Sequence, residues 1–149
     1  FDVLARHFHF VLIDVPRSPD PVHQHALAAA QSRVLLADPT VAAARDTLRH
    51  LQQLESGEAN RTYVVLNRRW TPSGSDVGAQ DLARTLGRAV DFEIPYARNA
   101  VARSINTAQP IVNDRGAVAR AYTEIADALT GRRSGRTGLA GRLRRWFAR

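Results

Sequence analysis

The chain has no cysteine, which excludes a disulfide framework and any thiolate metal site. It has no lysine either: all 21 basic residues are arginine, and GC-rich coding is the simplest origin of that bias. One chemical consequence is that no lysine ammonium is present to grip a phosphate. No apolar run approaches the ~20 residues that a membrane-spanning helix needs, and no charged-then-apolar leader resembles a signal peptide. The expectation is a soluble or peripheral protein of the cytoplasm. The first residue is Phe1, not methionine. Residues 1–7 read as the last turn of an element already under way, so a cut is expected there.

What is present is 149 residues, enough for one α/β domain that buries roughly two thirds of the surface its unfolded chain exposes. The formal charge of +7 is unevenly placed. Residues 1–130 hold 14 arginines and 14 acids, while residues 131–149 hold seven arginines and no acid. The whole excess therefore lies in the tail.

Residues 8–14, aromatic and β-branched and ending in Asp14, read as a buried strand. Three prolines between residues 15 and 21 then exclude helix or ladder and leave a stiff loop. Asp20 caps, and Pro21 opens, a helix expected to run to about Ala30. Residues 33–37 form the next strand. Thr40 caps a second helix, with Val41, Ala44, Leu48, Leu51 and Leu54 on one face and Gly57 after its end. Residues 61–67 form a third strand, 80–86 a helix, and 90–95 a short strand stopped by proline. Helices over about 99–107 and 114–129 complete the domain. Strands alternating with helices make a mainly parallel sheet flanked by helices, with ligands outside the carboxyl ends of the strands. Asp14, Asn67 and Pro95 are thus expected on one rim.

Three stretches, taken in order, carry a resemblance. Residues 10–18, Phe-Val-Leu-Ile-Asp-Val-Pro-Arg-Ser, resemble the Walker B strand and switch loop of the ParA/MinD-type P-loop ATPases. Residues 64–68, Val-Val-Leu-Asn-Arg, are similar to that family's strand ending in Asn-Arg. Residues 93–96, Glu-Ile-Pro-Tyr, and the helix after them resemble its isoleucine-proline loop. The likeness spans about residues 8–130 and implies the C-terminal portion of a P-loop NTPase (ParA/MinD-like) α/β fold. It implies that Asp14 supports Mg²⁺, that Pro16 and Arg17 belong to a switch loop, and that Asn67, Arg68, Pro95 and Tyr96 border the base of ATP. An amide that both donates and accepts suits adenine, and a carboxylate at a strand end suits a hard dication. Each piece alone has a plainer explanation, an acid or amide bounding a turn; order and spacing together give the signal.

The chain departs from the family in lacking its glycine- and lysine-containing phosphate loop. ATP and Mg²⁺ are therefore expected cofactors of the intact protein, while this stretch alone is expected neither to hold them tightly nor to hydrolyse ATP. The Val-Pro-Arg-Ser loop, without the glycine of many relatives, resembles the CpaE/TadZ subgroup of tight-adherence pilus assembly. That subgroup implies a dimeric nucleotide-switch or pseudo-ATPase localisation factor for pilus or secretion machinery. A partitioning ATPase that binds DNA through phosphate charge and an α/β scaffold module without nucleotide are the alternatives.

His7/His9 and His23/His25 are spaced at i, i+2, but no cysteine or acid cluster completes a shell, so no direct metal site is assigned. Ser18 lacks a glycine elbow and reads as a loop residue. The tail divides into a flexible basic linker, 131–138, and an amphipathic helix, 139–149. Leu139, Leu143, Trp146 and Phe147 make an apolar stripe there, flanked by Arg142 and Arg145. Such a helix suits an anionic membrane surface, which would place the protein peripherally at the inner face of the bacterial cytoplasmic membrane. Packing onto the domain or a partner, and a solvated tail, are the other readings.

Overall fold

The computed structural model describes residues 2–16, 18, 20–55, 61–70 and 76–132. A short helix α1 (Asp2–His7) leads into an irregular segment. Helix α2 (Pro21–Ala29) begins as the sequence implies: Asp20 accepts the Val22 N–H at 2.7 Å and Pro21 takes the first position. Strand β1 (Ser32–Ala37), helix α3 (Val41–Glu55), strand β2 (Arg61–Asn67) and helix α4 (Ala79–Leu86) follow. Strand β3 (Phe92–Ile94), helix α5 (Arg98–Thr107), a 3-10 turn (Ile111–Asn113) and helix α6 (Ala117–Thr130) complete the order.

The sheet runs β1-β2-β3 with both pairings parallel, as the alternation of strands and helices requires. Val64 and Leu66 point to one face, where they meet Ala37, Ala44, Leu51, Leu82 and Leu86 from β1, α3 and α4. Val65 and Ile94 point to the other and meet Val118, Ala121 and Ile125 of α6. Both faces of β2 are thus covered, which is why its run is apolar without alternation. Tyr63 anchors the far end of α6, its hydroxyl donating to the Ala128 carbonyl at 3.2 Å. Arg33, only 6% exposed, donates through Nε to the Leu27 carbonyl at 2.6 Å. A cation there completes the C-terminal turn of α2 and ties that helix to β1.

Four expectations change. Residues 8–14 are not a strand: they have no regular secondary structure and are exposed, with Phe10 70% and Leu12 93% accessible. A strand needs a neighbouring ladder, and among the described residues none lies beside this segment. Asp14 therefore does not end a strand. Val41 is exposed and not part of the α3 core face, which Ala43 and Ala44 open within the same first turn and Thr47 continues. The last strand is shorter than residues 90–95, because the Asp91 carboxylate, not a backbone carbonyl, takes the Val64 N–H at 2.8 Å. The last helix starts at Ala117 rather than 114, because the Asp114 carboxylate is held by Arg103 and the 3-10 turn precedes it. Gly57 and the tail, including the stripe Leu139, Leu143, Trp146 and Phe147 with Arg142 and Arg145, lie outside the described residues.

Candidate ligand cavity at the carboxyl ends of the strands

Parallel strands end on one rim, and here the residues at or just past the ends of all three are tied together. After β1, Asp38 takes the Arg69 guanidinium at 3.2 Å. After β2, the Arg68 N–H donates to the Ile94 carbonyl of β3 at 3.0 Å, and its side chain pairs with Glu93. The Val77 N–H reaches the Pro39 carbonyl at 3.1 Å, and Trp70 donates through Nε1 to Asp76 at 3.1 Å. These links fix where Asn67, the last residue of β2, and Pro95, the residue after β3, stand.

Asn67, Arg68, Pro95 and Tyr96 all line one cavity of about 570 Å³. That volume falls within the range of small-molecule sites. The Asn67 amide makes no hydrogen bond among the described residues, so it has a donor and an acceptor available. Arg68 and Arg69 also line the cavity, each committed to a carboxylate, whereas Arg98 at the first position of α5 forms no ion pair among the described residues. The remaining wall is apolar: Val101 and Ile105 from α5, Ile111 from the 3-10 turn, and Val118 and Tyr122 from α6. Sequence reasoning assigned none of these last residues to a site, although the i, i+4 pair Val101 and Ile105 is the pattern that marks a helix face.

The far wall is held by one charged contact. Arg103 donates to Asp114 at 2.7 Å, and the Arg115 N–H donates to the same carboxylate at 2.7 Å. The Arg103 hydrogen bond first, and the Arg115 N–H second, hold the Asp114 carboxyl below its ordinary range. This pair joins α5 to the segment leading into α6.

The expected rim is thus partly assembled. Asn67 and Pro95 line the same cavity, but Asp14 is exposed in the irregular segment after α1 and does not line it. Pro16 is likewise exposed, and Arg17 lies outside the described residues. Among the described residues no group of three or more His, Cys, Asp or Glu is arranged to hold a metal ion, and no helix is long and apolar enough to cross a membrane. The cavity presents the Asn67 amide together with apolar side chains from α5, the 3-10 turn and α6.

No protein-family model and no curated protein sequence matches the chain. Solved structures do. The chain is similar to MinD cell division protein of Aquifex aeolicus, with a TM-score of 0.70 and 24% identity over 87% of this chain and 57% of that one. It is similar to a chain of the MinC:MinD cell division protein complex of Aquifex aeolicus, at 0.63 and 24% over 76% and 48%. A ParA family ATPase from Chlorobium tepidum TLS aligns at 0.58 and 18% over 70% and 43%. The chain spans about half the length of these solved chains. At such identities the likeness is one of architecture, and the chain has the parallel α/β fold of the ParA/MinD ATPases.

Proposed function

We propose that this chain carries the base-side half of a ParA/MinD-type nucleotide switch, and that the intact protein binds ATP with Mg²⁺. The observation that carries the reading is the cavity in which Asn67, Pro95 and Tyr96 meet at the ends of β2 and β3. Asn67 reads the base edge, Pro95 and Tyr96 border its face, and Arg68, held by Glu93, keeps the two strand ends in register. Asp14 supports Mg²⁺ and Pro16 and Arg17 belong to the switch loop once the segment 8–14 is paired in the intact protein. The loop composition supports a CpaE/TadZ-like localisation factor that dimerises and positions pilus or secretion machinery. The arginine-rich tail supports attachment to an anionic membrane through Leu139, Leu143, Trp146 and Phe147, which would place it peripherally in the bacterial cytoplasm.

Equilibrium binding of Mg-ATP to the intact protein tests the nucleotide reading. Asn67→Ala should weaken it roughly tenfold, the loss of a hydrogen-bonded base edge, and Asp14→Ala should weaken only the Mg-dependent part. Unchanged affinity in both variants would refute the assignment. Sedimentation with anionic liposomes tests the tail: removal of residues 138–149 should abolish it, and undiminished binding would exclude the membrane role.

A further inference from the structure

Helices that flank a sheet are ordinarily rooted in it by an apolar stripe. Here α3, α4 and α6 follow that rule, each burying side chains in one of the two core clusters. Helix α5 does not: none of its residues is buried, and Val101 and Ile105, which wall the cavity, are 42% and 72% exposed. Both of its ends are alanines off helical geometry. Ala97 stands at φ −148°, ψ 66° without a side-chain cap, and Ala108, at φ 51°, is the one described non-glycine residue in the left-handed region. An alanine there carries a steric cost through its Cβ. The bonds that hold it are local. The Ala108 N–H donates to the Ile105 carbonyl at 3.3 Å, the Gln109 N–H to the Ser104 carbonyl at 3.1 Å, and the Ser104 hydroxyl to the Gln109 carbonyl at 2.6 Å.

What fastens α5 is Arg103, which donates to Asp114 at 2.7 Å. Asp114 is the one acid between residues 94 and 120, and α6, which begins at Ala117 soon after it, is rooted in the core by Val118, Ala121 and Ile125. The pair is open to solvent, its side chains 63% and 37% exposed, so it is weak and readily broken. We propose that α5 is a movable wall of the cavity, that the Arg103–Asp114 pair is its latch, and that swinging it out about Ala97 and Ala108 admits and releases the nucleotide base. The proposal rests on the nucleotide reading for the identity of the ligand, not for the motion. A helix with no buried side chain, held by an exposed ion pair, belongs to the low-stability end of a folded protein. Closure of such an element over a ligand governs entry and release. Arg103 does not itself line the cavity; it is a positioning residue that acts through Val101 and Ile105 on the same helix.

Hydrogen exchange followed by mass spectrometry tests the motion in the ligand-free chain, with circular dichroism as the folding check. Peptides within residues 98–107 should exchange roughly tenfold faster, or more, than those within 118–129. Arg103→Gln should speed the first by roughly two- to fivefold and leave the second unchanged, while Arg103→Lys, which keeps the charge, should retain most of the protection. Equal protection of α5 and α6, or α5 exchange that is indifferent to Arg103→Gln or raised as much by Arg103→Lys, would overturn the proposal. In the intact protein ATP should slow exchange within 98–107. Stopped-flow binding of a fluorescent ATP analogue should show Arg103→Gln raising the association and dissociation rates together at nearly constant affinity, whereas Asn67→Ala raises dissociation alone. ATP that binds without slowing α5 exchange, or Arg103→Gln changing only the dissociation rate, would also overturn it. Absence of ATP binding would sink the nucleotide reading instead, and the ligand-free exchange would still decide the motion.

Discussion

Single residues set the shape of the rim. Asp91 accepts the Val64 N–H at 2.8 Å and Arg88 at 3.1 Å, so its carboxylate stands where a further residue of β3 would pair. Asp91→Ala orphans an N–H of a fully buried strand residue and should cost about 1–3 kcal/mol, read as a lower denaturation midpoint at unchanged slope. Asp114 supplies a pH-dependent contact. Its pKa is lowered by Arg103, so its contribution to stability is present above the ordinary carboxylate pKa of about 3.9 and lost as pH falls through the lower folded value. Carboxyl NMR titration should give a midpoint below about 3.9 that moves up in Arg103→Gln; identical midpoints would show that the pair does not exist in solution.

At the scale of elements, β2 and the helices over it carry the fold. Leu82 is fully buried beneath Val64 and Leu66 in the cluster joining α4 to the sheet, and Leu82→Ala should cost about 2–5 kcal/mol. Gly87 ends α4 at φ 68°, with open space where a side-chain carbon would stand, so Gly87→Ala should incur only the left-handed backbone cost, about 1–2 kcal/mol. Thermal or urea unfolding separates the two.

Elements with strong local signals were legible in the sequence. Asp20 and Pro21 starting α2, Thr40 capping α3 through the Ala43 N–H at 3.1 Å, and the apolar run of β2 stand where their chemistry puts them. Residues 8–14 were not, because strand character depends on a partner that local composition does not contain. The shortened β3 and delayed α6 were also hidden, since both depend on a carboxylate, Asp91 or Asp114, captured by groups distant in sequence. That Asn67, Pro95 and Tyr96 would stand on one rim was legible from the strand ends, and they line one cavity. The α5 wall was not, because Val101 and Ile105 look like any helix face until that helix is seen to bury nothing.

For the whole molecule, the arrangement that matters is a parallel sheet whose strand ends are cross-linked by Arg68 with Glu93 and Arg69 with Asp38, holding open a cavity lined by the Asn67 amide. The proposed nucleotide reading places the base of ATP at that rim. Photo-crosslinking with an azido-adenine nucleotide, followed by mass spectrometry of the labelled peptides, tests this most directly in the intact protein. The account predicts label within residues 67–69 or 94–105, protected by excess ATP and lost in Asn67→Ala. Protected label confined to other segments, or none at all, would contradict it.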